Sequence, residues 1–199
     1  LTITELARVW HGVGEGDYAD IVRLLMLLGQ REREIGDLSW SEIDLDRAVI
    51  TLPPQRTKNR RWHSVPLSAP AVEILRARPQ NGRAPVFGRG QGDRGFSGWS
   101  RAKARLDAAI QIEPWVVHDL RRTLGTVMND QLGIAPHVVE AILNHVSSHK
   151  SGKAGVAGVY NHATYLKEKT AALRIWADHI MAAVEGRGSN IISLQPIAE

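Results

Sequence analysis

The sequence predicts an α+β fold, mainly helical with one small antiparallel sheet. Three observations point that way. Apolar residues recur at helical spacing, as in Ile21, Leu24, Leu25 and Leu28, or in Trp99, Ala102, Leu106 and Ile110. Two short runs, Ala48 to Leu52 and Arg61 to Leu67, read as strands flanking Pro53-Pro54 and the basic turn Arg56-Thr57-Lys58-Asn59-Arg60. The 199 residues are 43% hydrophobic, enough for a real core and too many for global disorder.

Each element has a local cause. Thr2-Ile3-Thr4-Glu5 is a capping box that opens a helix to about Trp10. After the glycine-rich link from His11 to Gly16, Asp17 is placed to cap a helix running to about Gln30. Arg31 to Leu38 continues or restarts it, and Ser39 with Glu42 forms a second capping pair. Ala69 to Arg78 reads as a helix, and Pro79 to Gly95 as a loop with a brief extended stretch at Pro85 to Phe87. Ser97 is the expected cap of a helix to Ile110. A helix beginning at His118 runs to about Leu132 and stops at Gly133. Pro136 suits the first turn of the next, which ends near Leu143. Gly152 to Gly158 is small and glycine-rich, the mark of a mobile or tightly turned segment. Thr164 to Val184 is a long amphipathic helix, with Leu166, Leu173, Ala177, Ile180 and Val184 on its buried side. No internal repeat is present.

Charge and composition narrow the function. Lys plus Arg number 25 against 21 acidic residues, for a net charge of +4 and a pI near 9.7. The charge is uneven: Arg76, Arg78, Arg83, Arg89, Arg94, Arg101, Lys103 and Arg105 share a segment whose main acidic residue is Asp93. Uneven positive charge suits a polyanionic partner as well as a plain solvated surface. There is no cysteine, which excludes disulfides and thiolate zinc sites and suits an intracellular address. No apolar run approaches the ~18 to 20 residues of a membrane span. The chain opens on a helix cap without an initiator Met, as an excised piece of a longer protein would.

The richest stretch chemically is His118-Asp119-Leu120-Arg121. Residues at i and i+3 share a helical face, so an imidazole and a guanidinium can reach one phosphate. Arg122, one position on, cannot face the same way and suits packing or backbone phosphate. Arg31 lies far upstream, Lys58 in the basic turn, His145 and Tyr160 downstream. Arginines bind phosphate bidentately and stay charged. A lysine or histidine can move protons, and a tyrosine can form a covalent intermediate. Tyr18 and Tyr165 compete for that last role. Taken singly, each residue also reads as an ordinary surface charge or packing side chain. Their order and spacing together suggest a metal-free site for phosphodiester cleavage. His145 and His149 have i,i+4 spacing, but no glutamate sits between them as in zinc motifs, so no metal is expected.

These residues resemble the catalytic domain of the tyrosine recombinases, the phage integrase family. Gly29-Gln30-Arg31, Glu34-Ile35 and Leu38 to Asp44 are similar to the family's first-arginine box. Thr57-Lys58 to Ser68 is similar to its lysine hairpin, His118 to Thr123 to its H-x-x-R box, and Leu143-Asn144-His145 to the next. Tyr160-Asn161-His162 is similar to the nucleophile box. The resemblance covers roughly residues 1–185 and implies that family's catalytic-domain fold, with residues 186–199 as a C-terminal tail.

What the resemblance implies for function is specific. Arg31 and Arg121 would clamp the scissile phosphate, and Lys58 would protonate the departing 5′ hydroxyl. His118 would assist proton transfer, His145 would hydrogen-bond the phosphate, and Glu34 would buttress an arginine. Tyr160 would attack to give a 3′-phosphotyrosyl link, with no cofactor. Double-stranded DNA is the implied partner, with Arg56, Arg60, Arg61, Arg101, Lys103 and Arg122 on its backbone. The enzyme would act as a homotetramer on DNA in the cytoplasm, and the isolated domain would be a monomer. Type IB topoisomerase-like cleavage and a non-catalytic DNA-binding module are the alternatives. The glycine-rich approach to Tyr160 suggests a withdrawn nucleophile that swings in on assembly. The apolar tail after Gly188 either docks on a neighbouring protomer or frays. Three features depart from the family pattern. Asn144 stands where glycine is usual, the stretch from His145 to Tyr160 is longer than common, and the usual N-terminal core-binding domain is missing, so that this piece alone would bind DNA poorly.

Overall fold

The computed structural model describes residues 1–88, 94–145 and 165–187. Tyr160, the glycine-rich stretch before it, His149 and the tail from residue 188 onward lie outside the described residues. Among the described residues, eight α-helices and a three-stranded antiparallel sheet follow in the order α1 (Ile3–Gly12), α2 (Asp17–Leu28), α3 (Glu32–Gly36), β1 (Ile43–Asp44), β2 (Val49–Leu52), β3 (His63–Pro66), α4 (Ala69–Arg76), α5 (Trp99–Ala109), α6 (His118–Asp130), α7 (Pro136–Ile142) and α8 (Leu166–Val184). Single 3-10 turns span Trp40–Glu42 and Pro54–Arg56.

α2 is the axis of the core. Its residues from Ile21 to Leu28 are buried, apart from partly exposed Arg23, and α1, α3, α4, α6 and α8 pack against it. A helix apolar on nearly every face belongs inside a layer of others. Trp176 of α8 is fully buried and donates from Nε1 to the Met26 carbonyl at 2.8 Å, which pins α8 to α2. α2 ends at Gly29, whose φ of 65° is left-handed. A Cβ there would lie 2.7 Å from the Leu124 side chain, so glycine is required both for the turn and for the approach of α6.

The sheet runs β1-β2-β3, with Ile43 opposite Ile50, Ile50 opposite Val65 and Leu52 opposite His63. Ile50, Leu52, Val65 and His63 are buried, so one face of the pleat lies against the helices. Lys169 of α8 donates to the Ser64 carbonyl on β3 and fixes that contact.

Several expectations need correction. Thr2 and Glu5 do form their capping box. Asp17, however, does not cap α2: Gly16 occupies the cap, and the Asp17 carboxylate accepts from Arg78 and from the Gly88 amide at 2.7 Å. Gly98 at φ 91° replaces Ser97 as the cap of α5. The Ser39–Glu42 pair closes a 3-10 turn, with the Ser39 amide donating to Glu42 Oε2 at 3.0 Å. Leu166 is 42% exposed, and Lys169 takes a buried place on α8 instead. The expected extended stretch at Pro85 forms an isolated bridge with Ser39. Strand β1 lies outside both runs that the sequence predicts as strands.

Candidate active site

Three chain segments meet at the C-terminal end of α2. Arg31 follows the Gly29 turn in extended conformation and caps α3. Its backbone amide donates to Glu34 Oε2 at 2.9 Å and its Nη1 to Glu34 Oε1 at 2.9 Å. Glu34 is buried, whereas the Arg31 side chain keeps a quarter of its surface open. One carboxylate thus orients the guanidinium from behind, and among the described residues its other edge makes no intramolecular bond.

Arg121 reaches the same place from α6. It is 3% exposed. Nη1 donates to the Gly29 carbonyl at 2.6 Å and Nη2 to the Leu143 carbonyl. These two acceptors are the orphan carbonyls at the ends of α2 and α7, so one guanidinium closes both helices. Burial, together with the nearby Arg31 charge, lowers the Arg121 pKa to about 10, opposed by Glu34 and Glu140. It stays protonated at neutral pH. Two cations held close enough to disfavour each other form a ready seat for an anion.

Beneath them runs a buried amide–imidazole pair. Gln30 donates to the carbonyls of Leu28 at 2.7 Å and Ile142 at 3.1 Å, and its Oε1 accepts from His63 Nε2 at 3.0 Å. Burial, then the Lys169 charge, presses the His63 pKa down to about 3, so the ring is neutral. Burial likewise lowers Lys169, to about 8.

The remaining candidates form an exposed rim. His118 opens α6, and its pKa is lowered by burial, then by the charges of Arg121 and Arg122. It is therefore a neutral imidazole at pH 7, able to accept a proton. Lys58 is exposed on the β2–β3 connection. Its turn is closed by Thr57, whose Oγ1 donates to the Arg61 carbonyl at 2.7 Å. His145 Nδ1 lies 3.1 Å from Glu140 Oε2 just beyond α7. Between Leu143 and His145, Asn144 takes a φ of 50°. That left-handed conformation favours glycine, with asparagine tolerated next best, which accounts physically for asparagine in a glycine position.

Other expected DNA contacts divide into two groups. Arg60, Arg61 and Arg101 are exposed, and Arg122 is 70% exposed while pairing with Asp119 at 3.0 Å. Arg56 is spent inside the molecule: Nε donates to Glu42 at 2.9 Å and Nη2 to the Glu34 carbonyl at 3.0 Å, bracing the segment that carries Arg31. Lys103 pairs with Asp107, donates to the Trp115 carbonyl and sits 4.1 Å from the Trp115 ring centroid. Among the tyrosines, Tyr18 packs against Phe96 and Trp99, and burial raises its pKa well above the usual phenol range. It is held as a neutral phenol. Tyr165 lies beside His137, with ring centroids 5.2 Å apart. Among the described residues no three His, Asp or Glu side chains gather as metal ligands, and no helix is long and apolar enough to cross a membrane.

Gln30, His63, Asn59 and Lys169 join the site through contacts that the sequence does not predict. Only Gln30, next to Arg31 at the end of an apolar helix, carried a usable signal.

The model of the phage integrase family matches residues 14–165. Prophage integrase IntZ of Escherichia coli (strain K12) is 36% identical over 173 residues, covering 84% of this chain and 40% of the relative. Prophage integrase IntA of the same strain is 32% identical over 158 residues, covering 78% and 37%. The integrase of Shigella phage Sf6 is 26% identical over 160 residues, covering 78% and 40%. The chain spans about 40% of the length of the curated relatives it matches. No solved structure matches it.

Proposed function

This chain belongs to the phage integrase family, and on that premise we propose that it is the catalytic domain of a site-specific DNA recombinase working through a 3′-phosphotyrosyl intermediate. One observation carries the reading. Arg121 donates to the Gly29 carbonyl, two residues before Arg31, so two guanidinium groups from distant parts of the chain, one buried and one a quarter open, stand close enough for each charge to act on the other.

The proposed step forms one bond to phosphorus and breaks another. The Tyr160 phenol oxygen bonds to the scissile phosphorus while His118 takes its proton. The P–O5′ bond breaks, and Lys58 supplies a proton to the departing oxygen. Arg31, Arg121 and His145 hold the non-bridging oxygens as charge builds on them; losing one such donor typically costs ~10²–10³-fold in rate. The phosphotyrosine keeps the energy of the broken linkage, so a 5′ hydroxyl from another strand can reverse the step. Exposed Arg60, Arg61, Arg101 and Arg122 supply salt-sensitive backbone affinity for double-stranded DNA. Strand exchange would proceed in the cytoplasm in a homotetramer on DNA, with the isolated domain monomeric.

The test is a nicked duplex carrying the sequences that flank the gene, incubated with the full-length protein. An adduct stable to denaturation, lost in Tyr160→Phe, is expected. DNA binding with no adduct would replace the enzyme with a non-catalytic DNA-binding module. Relaxation of supercoiled DNA lacking those sequences would point to topoisomerase-like cleavage instead.

A further inference from the structure

Asn59 and Asn144 lie 85 residues apart in the chain and meet side chain to side chain. Asn59 Nδ2 donates to Asn144 Oδ1 at 2.7 Å and to the Asn144 carbonyl at 3.2 Å. In return Asn144 Nδ2 donates to Asn59 Oδ1 at 3.3 Å, and that oxygen also accepts the Arg61 amide at 3.2 Å. Every polar atom of the Asn59 amide is engaged. Both residues are partly buried, whereas Lys58 and Arg60 on either side of Asn59 are exposed.

The neighbours of the pair give it a meaning. Asn59 follows Lys58 directly. Asn144 precedes His145 directly and follows Leu143, whose carbonyl accepts from Arg121. The contact therefore joins the turn that carries exposed Lys58 to the corner where Arg121 and His145 are fixed. The backbone at Asn144 needs only a residue that tolerates φ 50°, which glycine does better. The amide side chain adds something the turn itself does not require.

We propose that the Asn59–Asn144 pair is a positioning clasp that sets the Lys58 ammonium against the leaving oxygen. The inference rests on the strand-cleavage reading above. Neither asparagine touches the reacting atoms; each acts through Lys58. Proton delivery depends on placement within a fraction of an ångström, and a misplacement of ~1 Å can cost ~10²-fold.

A leaving group that needs no proton separates positioning from mere structural support. Cleavage is measured on two nicked duplexes, one with the natural 5′ oxygen at the scissile linkage and one with sulfur in its place. A thiolate leaves unaided. Asn144→Gly and Asn59→Ala in the full-length protein are expected to lose about 10- to 100-fold on the oxygen substrate and to stay within about 2-fold of the unsubstituted protein on the sulfur substrate. The double variant should be no slower than the worse single one, because both break the same contact. Asn144→Gly keeps the backbone conformation, so it guards against a folding artefact. Equal losses on both substrates, or no loss on either, overturn the clasp while leaving the enzyme intact. No adduct from the unsubstituted protein on either substrate overturns the strand-cleavage reading, and the clasp falls with it.

Discussion

Arg121 and Lys58, the two cations of the proposed cleavage step, are held in opposite ways. Arg121 is 3% exposed and bonded to two helix-end carbonyls. Lys58 is exposed on a turn between two short strands, tied down mainly through its neighbours. Phosphate-binding charge has to stand in place before the substrate arrives, since reorganising it during the reaction would raise the barrier. A proton donor can be brought up by a loop. The floor of the site is thus part of the core, and the rim is an attachment to it.

That contrast predicts different consequences for the two cations. Arg121→Ala strips donors from the Gly29 and Leu143 carbonyls in a buried place and is expected to cost roughly 2–4 kcal/mol of stability. Lys58→Ala should abolish most cleavage yet change stability by less than about 0.5 kcal/mol. Urea unfolding of both variants checks this, and a comparable loss in Lys58→Ala would break the distinction.

The floor should also fail in acid before the rim does. The His63 pKa is depressed from 6.5 to about 3 in the folded state. Between those values the unfolded chain binds the proton more readily, so this stabilisation is complete above pH 6.5 and is lost as pH falls towards 3. It amounts to at most a few kcal/mol. His63→Gln should flatten the fall in stability between pH 6.5 and 4; an unchanged slope would remove His63 as its cause.

On the rim, the His118 pKa lies below its ordinary value, partly through Arg122. The acid limb of cleavage should therefore fall below pH 6.5. Arg122→Ala should move it upward, and an NMR titration of the His118 ring should move with it. A limb that stays put while the ring titration shifts would take His118 out of proton transfer. The smallest effect concerns the joint between the two regions. Asn144→Ala should be about 1 kcal/mol less stable than Asn144→Gly, because alanine is strained at φ 50°.

The floor and rim were not equally readable from sequence. His118 and Arg121 could be paired because their spacing of three is a property of one helix. Thr2 and Glu5 could be paired for the same local reason. The Gln30–His63 bond joins residues 33 positions apart, and nothing in either neighbourhood announces the other. The same holds for Arg56, which reads as one more cation of a DNA-facing turn until Glu42 is seen beside it. β1 escaped notice because two residues carry no alternation, and its existence depends on the pairing with β2. Asp17 had the right chemistry for a cap, but Arg78 and the Gly88 amide, both far along the chain, hold its carboxylate.

Whether Arg31 and Arg121 neutralise one phosphate can be decided with a duplex that carries a methylphosphonate at the scissile linkage. That substitution removes the negative charge the guanidinium groups are held to meet. Arg31→Ala, which is expected to cost about 10²–10³-fold on the natural phosphate, should cost far less on the neutral linkage. An equal loss on both linkages would mean that Arg31 serves some purpose other than neutralising the phosphate, and the paired-arginine seat would be wrong.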